Sequence, residues 1–181
     1  MIIGLAGYAR SGKDSAADAL ESVGFCRIAF ADKLREFAYA LDPELDGDYS
    51  LKDVIDEYGW GGYKESYYAS AIREQLQFIG TDCVRNILGP DTWVNATFNA
   101  MDFSKDYVIT DVRFPNEAEG IREKGGLVYR VIREGVGPAN SHYSEVALDD
   151  FPFDDVILNY GTLNEFHENV RSLFVEGRNR P

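Results

Sequence analysis

A glycine-containing loop between an apolar run and a helical pattern constrains the fold of this chain more than any other feature. Residues 1–6 are apolar, residues 7–13 read GYARSGK, and a helical pattern follows over residues 14–23. This order of buried strand, glycine loop and helix is the context that a phosphate-binding P-loop requires. Backbone N–H groups and the helix N-terminus bind an anion there, and the lysine adds a mobile charge. The loop therefore predicts binding of a nucleoside triphosphate, although glycine-rich loops also open helices that bind nothing.

The loop departs from its usual form at one position. Asp14 stands where Ser or Thr commonly ligates Mg²⁺, and Ser15 follows it. A carboxylate at this position has three open roles: it can hold Mg²⁺ directly, hold it through water, or contact the phosphoryl acceptor instead.

Charge and cysteine content narrow the classes of function. The 181 residues suit one domain with a sizeable core, and the net charge of −13 argues against DNA or RNA as the main ligand. Cys26 and Cys83 form no disulfide framework, and His142 and His167 are too separated to predict a zinc site. The first residues run directly into a strand and no apolar run has membrane-spanning length, so we expect no signal peptide, no membrane association and a cytoplasmic location.

Strand and helix patterns alternate along the chain, which predicts an α/β fold with a mostly parallel sheet. The predicted strands cover residues 1–6, 25–30, 106–111, 127–132 and 156–158. The predicted helices cover residues 14–23, 31–41 with Asp32 as N-cap, 50–58 capped by Ser50, 65–80, 82–88 after a break at Gly80, 92–101, 116–124, 144–150 and 162–176. A polar segment rich in Gly and Pro over residues 134–142 has the composition of a lid that excludes water.

The end of the third predicted strand is the second informative stretch. Residues 111–117 read DVRFPNE, and ligands of open parallel sheets bind beyond the carboxyl ends of the strands. Asp111 at that edge would orient a Mg²⁺-bound water or accept a proton, and Arg113 would bind a phosphate with its guanidinium fork. The alternative is structural, with Asp111 capping the following helix and Arg113 pairing with Glu117.

Arginines near the predicted loop and lid are candidates for stabilising a phosphoryl group in transit. Arg10 lies inside the loop and Arg133 precedes the lid. A solvated surface position is the alternative for any such arginine, and it is more credible for Arg122 and Arg130 than for Arg133.

The helices between the second and third strands contain candidates for binding a phosphorylated acceptor. Arg73 and Gln77 are one helical turn apart and share a face, and Arg35 and Arg85 lie on neighbouring helices. A solvated helix face explains them equally well. Flat side chains suited to stacking on a base, which are more often core residues, are Trp60, Trp93, Tyr63, Tyr67 and Tyr68.

Several short blocks, in this order, resemble the deoxynucleoside monophosphate kinases of bacteriophages. The blocks are GYARSGKDS at 7–15, FADKL at 30–34, REQLQ at 73–77 with GTD at 80–82, DTWV at 91–94, DVRFPNE at 111–117, HYSE at 142–145 before Leu148 and Asp149, and ILNYGTL at 157–163. The combination of GKDS with DVRFPNE is the most specific part, and the blocks extend over nearly the whole chain.

The resemblance implies the nucleoside monophosphate kinase fold: a P-loop three-layer α/β/α domain over residues 1–181. The core would comprise residues 1–30, 104–133 and 154–181, with an acceptor-binding helical region over about 31–103 and a lid over about 133–150. It also implies transfer of the γ-phosphoryl group of ATP to a deoxynucleoside 5′-monophosphate (dNMP), with Mg²⁺ as cofactor. Kinases for phosphomevalonate or dephospho-coenzyme A share the architecture and are the nearest alternatives. A non-enzymatic nucleotide-binding switch is the alternative from another class.

The resemblance assigns roles to individual residues. ATP would be held by Gly7, Ser11, Gly12, Lys13, Asp14, Ser15 and Asn159, and Mg²⁺ by Asp14, Ser15 and Asp111. The dNMP would be held by Asp32, Arg35, Arg73, Gln77, Trp93, Arg113 and Glu117. Catalysis would use Lys13, Arg10, Asp14, Asp111 and Arg133. The expected partners are small-molecule nucleotides. Small kinases of this type are often dimers, so a homodimer is among the expected assemblies, in the host cytoplasm if a phage encodes the chain.

Overall fold

A computed structural model describes residues 1–138 and 146–175 of the chain. The elements, in chain order, are β1 (Ile2–Ala6), α1 (Lys13–Glu21), β2 (Cys26–Ile28), α2 (Phe30–Leu41), α3 (Leu51–Gly62), a 3₁₀ turn (Tyr63–Glu65), α4 (Ala69–Gln77), a π-helical segment (Phe78–Arg85), α5 (Asn86–Leu88), α6 (Thr92–Ala100), β3 (Tyr107–Val112), α7 (Pro115–Glu123), β4 (Leu127–Arg133), β5 (Asp155–Asn159) and α8 (Leu163–Val175). Two compact units result: a sheet unit, from residues 1–29 and 101 onward, and a helical unit, Phe30–Ala100.

The sheet unit contains five parallel strands in the order β2-β3-β1-β4-β5. β1 lies at the centre, and all five of its residues are buried. Because every pairing is parallel, the carboxyl ends of the strands meet at one edge. That edge carries the loop after β1 and the last residues of β3, β4 and β5. The structure confirms the predicted α/β class with a parallel sheet.

Helices cover both faces of this sheet. Ile3 and Leu5 face a core cluster built with α1 and α8, in which Phe166 and Phe174 are large buried members. Helix α7 packs against the opposite face. Its Ile121 comes so near to Gly4 that a Cβ added there would lie 2.6 Å from Cδ1 of Ile121. The alternation of side-chain direction along β1 therefore produces the three layers.

The helical unit has its own hydrophobic core. Buried residues from α2, α3, α4, the π-helical segment and α6 form one cluster that includes Leu51, Ile72 and Trp93. The predicted cap of α3 is confirmed: Ser50 Oγ accepts from the backbone N–H of Asp53, and the Asp53 carboxylate accepts from Ser50 in return. This reciprocal pairing is a capping box.

Two local predictions in the helical unit were wrong. The predicted break at Gly80 does not occur, since the π-helical segment continues the helix through it. Gly80 packs closely there: an added Cβ would lie 2.7 Å from Cδ2 of Leu34, and the Gly80 carbonyl accepts from the indole N–H of Trp93 at 3.0 Å. Asp32 is not the N-cap of α2, because the helix begins two residues earlier and places Asp32 in its first turn. The predicted helix over 144–150 falls partly outside the described residues, and residues 147–150 form turns.

Candidate active site

The loop between β1 and α1 has the backbone of an anion-binding loop. Gly7 and Gly12 have φ values of +139° and +107°, a region that favours glycine, and Arg10 also has a positive φ of +67°. A Cβ at Gly7 would lie 2.5 Å from the carbonyl oxygen of Val131, so the strand beside the loop leaves no room for a side chain. Conformation therefore favours glycine at both positions, and packing against the backbone also excludes a side chain at Gly7.

Lysine and asparagine side chains fix this loop from two sides. Lys13 Nζ donates to the carbonyl oxygens of Gly7 at 2.6 Å and Tyr8 at 2.8 Å. Asn159, the last residue of β5, donates from Nδ2 to the carbonyl oxygen of Ser11 at 2.8 Å. The family resemblance implies that Asn159 helps to hold ATP, and the structure shows its side chain against the loop backbone.

The loop also contains a buried hydroxyl. Ser11 is 2% exposed, and its Oγ has no hydrogen-bond partner among the residues that the structure describes. Leaving a buried polar group unsatisfied costs free energy, about 1–3 kcal/mol in typical cases. A buried donor in the loop fits the use of this loop for binding oxygen-rich anions.

A cleft opens beside the loop at the carboxyl edge of the sheet. Its lining residues come from the loop, from the end of β3, from β4 and from the segment before β5: Gly7, Tyr8, Ala9, Lys13, Val112, Arg113, Arg130, Leu148, Asp149 and Phe153. Three of these side chains are cations and one is a carboxylate. In a chain of net charge −13, this local excess of positive charge favours a phosphorylated ligand.

Arg130 lines the cleft, although the sequence favours a solvated surface position for it more than for Arg133. Its guanidinium donates from Nη2 to Oδ1 of Asp149 at 2.6 Å and from Nη1 to the Asp149 carbonyl oxygen at 3.1 Å. It lies over the rings of Tyr8 and Phe153, with Cζ 5.2 and 5.6 Å from their centroids. In the sheet Arg130 pairs with Ala6, the residue before the loop. That register brings it to the loop, and a single sequence does not reveal strand register.

The Tyr8 hydroxyl completes this group by donating to Asp149 Oδ1 at 2.7 Å. This hydrogen bond, together with burial, raises the pKa of Tyr8. The same hydrogen bond and the neighbouring Arg130 charge lower the pKa of Asp149. Both shifts favour the neutral phenol donating to an ionised carboxylate, so the contact is stable at neutral pH.

Arg113 is placed by the helix that follows it. Glu117 is 3% exposed, and its Oε2 accepts from the backbone N–H groups of Arg113 at 2.7 Å and Phe114 at 3.1 Å. These bonds cap α7 and fix the backbone at the end of β3, which brings Arg113 to the cleft. Glu117 is therefore a buried supporting residue, which fixes the backbone that carries Arg113.

The three predicted Mg²⁺ ligands, Asp14, Ser15 and Asp111, lie in different surroundings. The Asp14 carboxylate, 84% exposed, contacts the guanidinium of Arg27, which also pairs with Asp18 at 2.9 Å. Ser15 lies half-buried in the first turn of α1, and Asp111 half-buried near the end of β3. Among the described residues no group of three or more His, Cys, Asp or Glu side chains forms a metal site. Mg²⁺ is usually held by one or two protein oxygens plus water and phosphate, so Ser15 and Asp111 fit it.

A second cleft lies within the helical unit. It has a volume of about 420 Å³ and is lined by Asp32, Arg35, Glu36, Tyr39 and Trp60. Arg35 Nη1 donates to Asp32 at 2.9 Å, and its Cζ lies 5.9 Å from the centre of the Trp60 ring. The structure thus brings together two predicted acceptor-binding residues and one predicted stacking residue. Its volume is in the range of small-molecule sites.

Other predicted residues lie outside both clefts. Arg73 and Gln77 are exposed on α4, and Arg10 and Arg133 are exposed in the sheet unit. Trp93 is a core residue: it is 6% exposed, packs edge-on against Phe37 and donates its indole N–H to the carbonyl oxygen of Gly80. The block at 142–145 and the middle of the predicted lid lie outside the described residues. In the described part of the chain, no helix is both long and apolar enough to cross a membrane.

Comparison with known proteins identifies the family. The family model "Deoxynucleotide monophosphate kinase" matches residues 62–170. A putative deoxynucleotide monophosphate kinase of Acanthamoeba polyphaga mimivirus is 31% identical over 191 residues, which cover 95% of each chain. The deoxynucleotide monophosphate kinase of Escherichia phage RB69 is 33% identical over 108 residues, 57% of this chain and 44% of that protein.

A solved structure supports the fold. The dephospho-CoA kinase from Campylobacter jejuni superimposes with a TM-score of 0.50 at 14% sequence identity, over 97% of this chain and 96% of that one. The low identity restricts this likeness to the architecture, which is the predicted P-loop kinase fold. By its sequence relatives and the matched family model, the chain belongs to the deoxynucleotide monophosphate kinase family.

Proposed function

We propose that this chain transfers the γ-phosphoryl group of ATP to a deoxynucleoside 5′-monophosphate and produces the diphosphate. The observation that carries the proposal is the cleft beside the anion-binding loop, which is lined by the three cations Lys13, Arg113 and Arg130. Family membership selects this reaction over phosphorylation of phosphomevalonate or dephospho-coenzyme A, and over a nucleotide switch without catalysis.

The donor phosphates bind in the loop in this proposal. The backbone N–H groups between Gly7 and Ser15 and the N-terminus of α1 supply oriented positive dipoles. The Lys13 ammonium, which contacts two loop carbonyls, exchanges them for phosphate oxygens. Asn159 keeps the loop backbone in place through its hydrogen bond to Ser11. Gly12 allows this close approach, because an added Cβ there would lie 2.2 Å from Nδ2 of Asn159.

Mg²⁺ would be held by Ser15 and Asp111 together with the phosphates, and when bound it neutralises charge on the phosphate oxygens. Asp14 then acts as a link between the start of α1 and Arg27 of β2. Direct ligation of the metal by Asp14 stays a prediction.

The acceptor dNMP binds in the helical unit in this proposal. Trp60 offers a ring for stacking on the base, and Arg35 offers a cation for its phosphate, with Asp32 holding the guanidinium. Arg73 and Gln77 share an exposed helix face and are further candidates. Direct contacts of Trp93 and Glu117 with the dNMP stay predictions, and their burial favours supporting roles.

The chemistry requires one bond to form and one to break. An oxygen of the acceptor phosphate attacks the γ-phosphorus of ATP, and the bond to the β,γ-bridging oxygen breaks, leaving ADP. Lys13 and Arg113 stabilise the negative charge on the transferring group, because fixed cations are effective where water is excluded. Contributions from Arg10, Arg133 and a lid over about 133–150 remain proposals of the same kind.

A coupled assay of ADP formation with each of the four common dNMPs tests this function. We expect turnover that depends on at least one dNMP and saturates with it. Slow ATP hydrolysis that ignores every dNMP would contradict the proposal and favour the switch. Turnover with phosphomevalonate or dephospho-coenzyme A alone would favour the related kinases.

Sedimentation of the same protein tests the proposed homodimer, and fractionation of expressing cells tests the proposed cytoplasmic location.

A further inference from the structure

Three residues hold Arg130 in the cleft. Two of its five N–H donors bind Asp149, and its guanidinium contacts the rings of Tyr8 and Phe153. Its side chain is 19% exposed. An arginine that is fixed by stacking and by a carboxylate loses little side-chain entropy when it binds a further anion, so it is organised in advance for that task.

Tyr8 connects this arginine to the loop. Its hydroxyl binds the same carboxylate oxygen as Arg130, and its backbone carbonyl accepts from Lys13 Nζ. The positions of Arg130 and Lys13 are therefore coupled through one residue of the loop. Arg113 lines the same cleft from the end of β3.

We propose that Arg130 contacts the terminal phosphates of the nucleotide bound in this cleft, and that Asp149 is a positioning residue that holds its guanidinium in place. The inference deepens the proposed function and rests on the cleft being the donor site. Remaining N–H donors of Arg130 bind phosphate oxygens while the contacts to Asp149 keep the fork oriented.

Arg122 shows that anchoring alone does not account for Arg130. Its Nε donates to Asp154 at 3.2 Å, its Nη2 contacts the Pro152 carbonyl, and its Cζ lies 4.8 Å from the centre of the Phe151 ring. It thus anchors the same chain segment by the same kinds of contact. Arg122 does not line the cleft, whereas Arg130 does. This makes Arg122 the matched comparison for a test.

The test measures inorganic tripolyphosphate binding by calorimetry and dNMP kinase kinetics for the wild type, Arg130→Met, Arg130→Lys and Arg122→Met. We expect Arg130→Met to weaken tripolyphosphate binding by about tenfold or more and to lower kcat/KM by about a hundredfold. Arg130→Lys keeps the charge and the stem but loses the fork, so we expect an intermediate loss. Arg122→Met is expected to lower the melting temperature while both functional quantities stay within about twofold of wild type.

Asp149→Asn separates positioning from binding. It removes a negative charge from the cleft, so tripolyphosphate affinity is expected to stay the same or rise, while kcat falls by about tenfold because the guanidinium is less well oriented. A role limited to folding would lower the melting temperature without this division between affinity and turnover.

The inference is overturned if both Arg130 variants, shown to be folded by circular dichroism, bind tripolyphosphate and turn over substrate as well as Arg122→Met does. Failure of the proposed function is a different result. In that case the wild type binds tripolyphosphate but transfers no phosphoryl group to any dNMP, and the loss of affinity in Arg130→Met still decides the role of Arg130.

Discussion

The clefts of the sheet unit and the helical unit are built from different parts of the chain. In the sheet unit, the main chain of the loop after β1 sets the shape of the anion-binding part, with φ values of +139° at Gly7 and +107° at Gly12, and side chains from other segments complete the cleft. In the helical unit, side chains on two helices form the cleft, with Arg35 from α2 beside Trp60 from α3. The shape of the loop therefore depends on a short contiguous segment, whereas the helical cleft depends on how two separate helices pack.

This difference determines how each site tolerates substitution. The loop has no spare space, since Val131 and Asn159 lie against its two glycines. The helical cleft has a volume of about 420 Å³ and is lined by side chains, so substitutions there change its lining without straining a backbone loop. We therefore expect changes in the loop to abolish turnover, and changes in the helical cleft to alter the acceptor KM.

The largest effect is expected for Lys13→Ala. Loss of the ammonium removes the cation that contacts two loop carbonyls, and we expect kcat to fall by about a hundredfold or more. Steady-state kinetics with saturating ATP and dNMP measure this, and circular dichroism checks that the fold is retained. Turnover of Lys13→Ala at the wild-type rate would show that the reaction does not take place in the cleft of the sheet unit.

Gly12→Ala compared with Gly24→Ala tests the tightness of the loop. Both glycines have positive φ, +107° and +98°, so alanine at either is strained by about 1–2 kcal/mol. Only at Gly12 does the new Cβ meet a neighbour, Asn159, which must then give up its bond to Ser11. We expect urea unfolding to show the larger destabilisation for Gly12→Ala, with loss of ATP binding only in that variant. Equal effects on both quantities would contradict the tight-loop description.

Arg35→Met compared with Lys33→Met tests the helical cleft. Both cations lie on α2, are 34% and 29% exposed, and pair with an acid three residues away. Only Arg35 lines the cleft, so we expect its loss to raise the dNMP KM by about tenfold with little change in the KM for ATP. Similar dNMP KM values for the two variants would exclude Arg35 from the acceptor site.

The smallest effect is a pH-dependent contribution of Asp149 to stability. Its pKa is lowered in the folded state, first by the Tyr8 hydroxyl and then by Arg130. The stabilisation is therefore fully present above the ordinary aspartate pKa of about 3.9 and is lost as the pH falls through the lowered folded-state value. The contribution is small because the side chain is 38% exposed.

Urea midpoints of the wild type and Asp149→Asn measure this contribution. We expect the wild type to be the more stable at pH 6 and the difference to shrink as the pH falls towards 3. Asp150→Asn, at the exposed neighbouring position, corrects for the loss of one negative charge. A difference that stays constant between pH 6 and pH 3 would contradict the contact between Asp149 and Tyr8.

The same division explains how much was predictable from sequence. The parallel sheet, the loop and the cap at Ser50 depend on local patterns, and the structure has all three. The role of Arg130 depends on its register opposite Ala6, a long-range property that local patterns do not contain. Gly80 likewise lies inside a continuous helical segment and contacts Leu34 and Trp93, which its local sequence does not reveal.

Time-resolved ³¹P NMR of the wild-type protein with ATP, Mg²⁺ and a mixture of dNMPs tests the central claim most directly. We predict that the γ-phosphoryl resonance of ATP decreases as the β-phosphoryl resonance of a deoxynucleoside diphosphate increases by the same amount. Appearance of inorganic phosphate in place of that diphosphate, or an unchanged ATP spectrum, would contradict it.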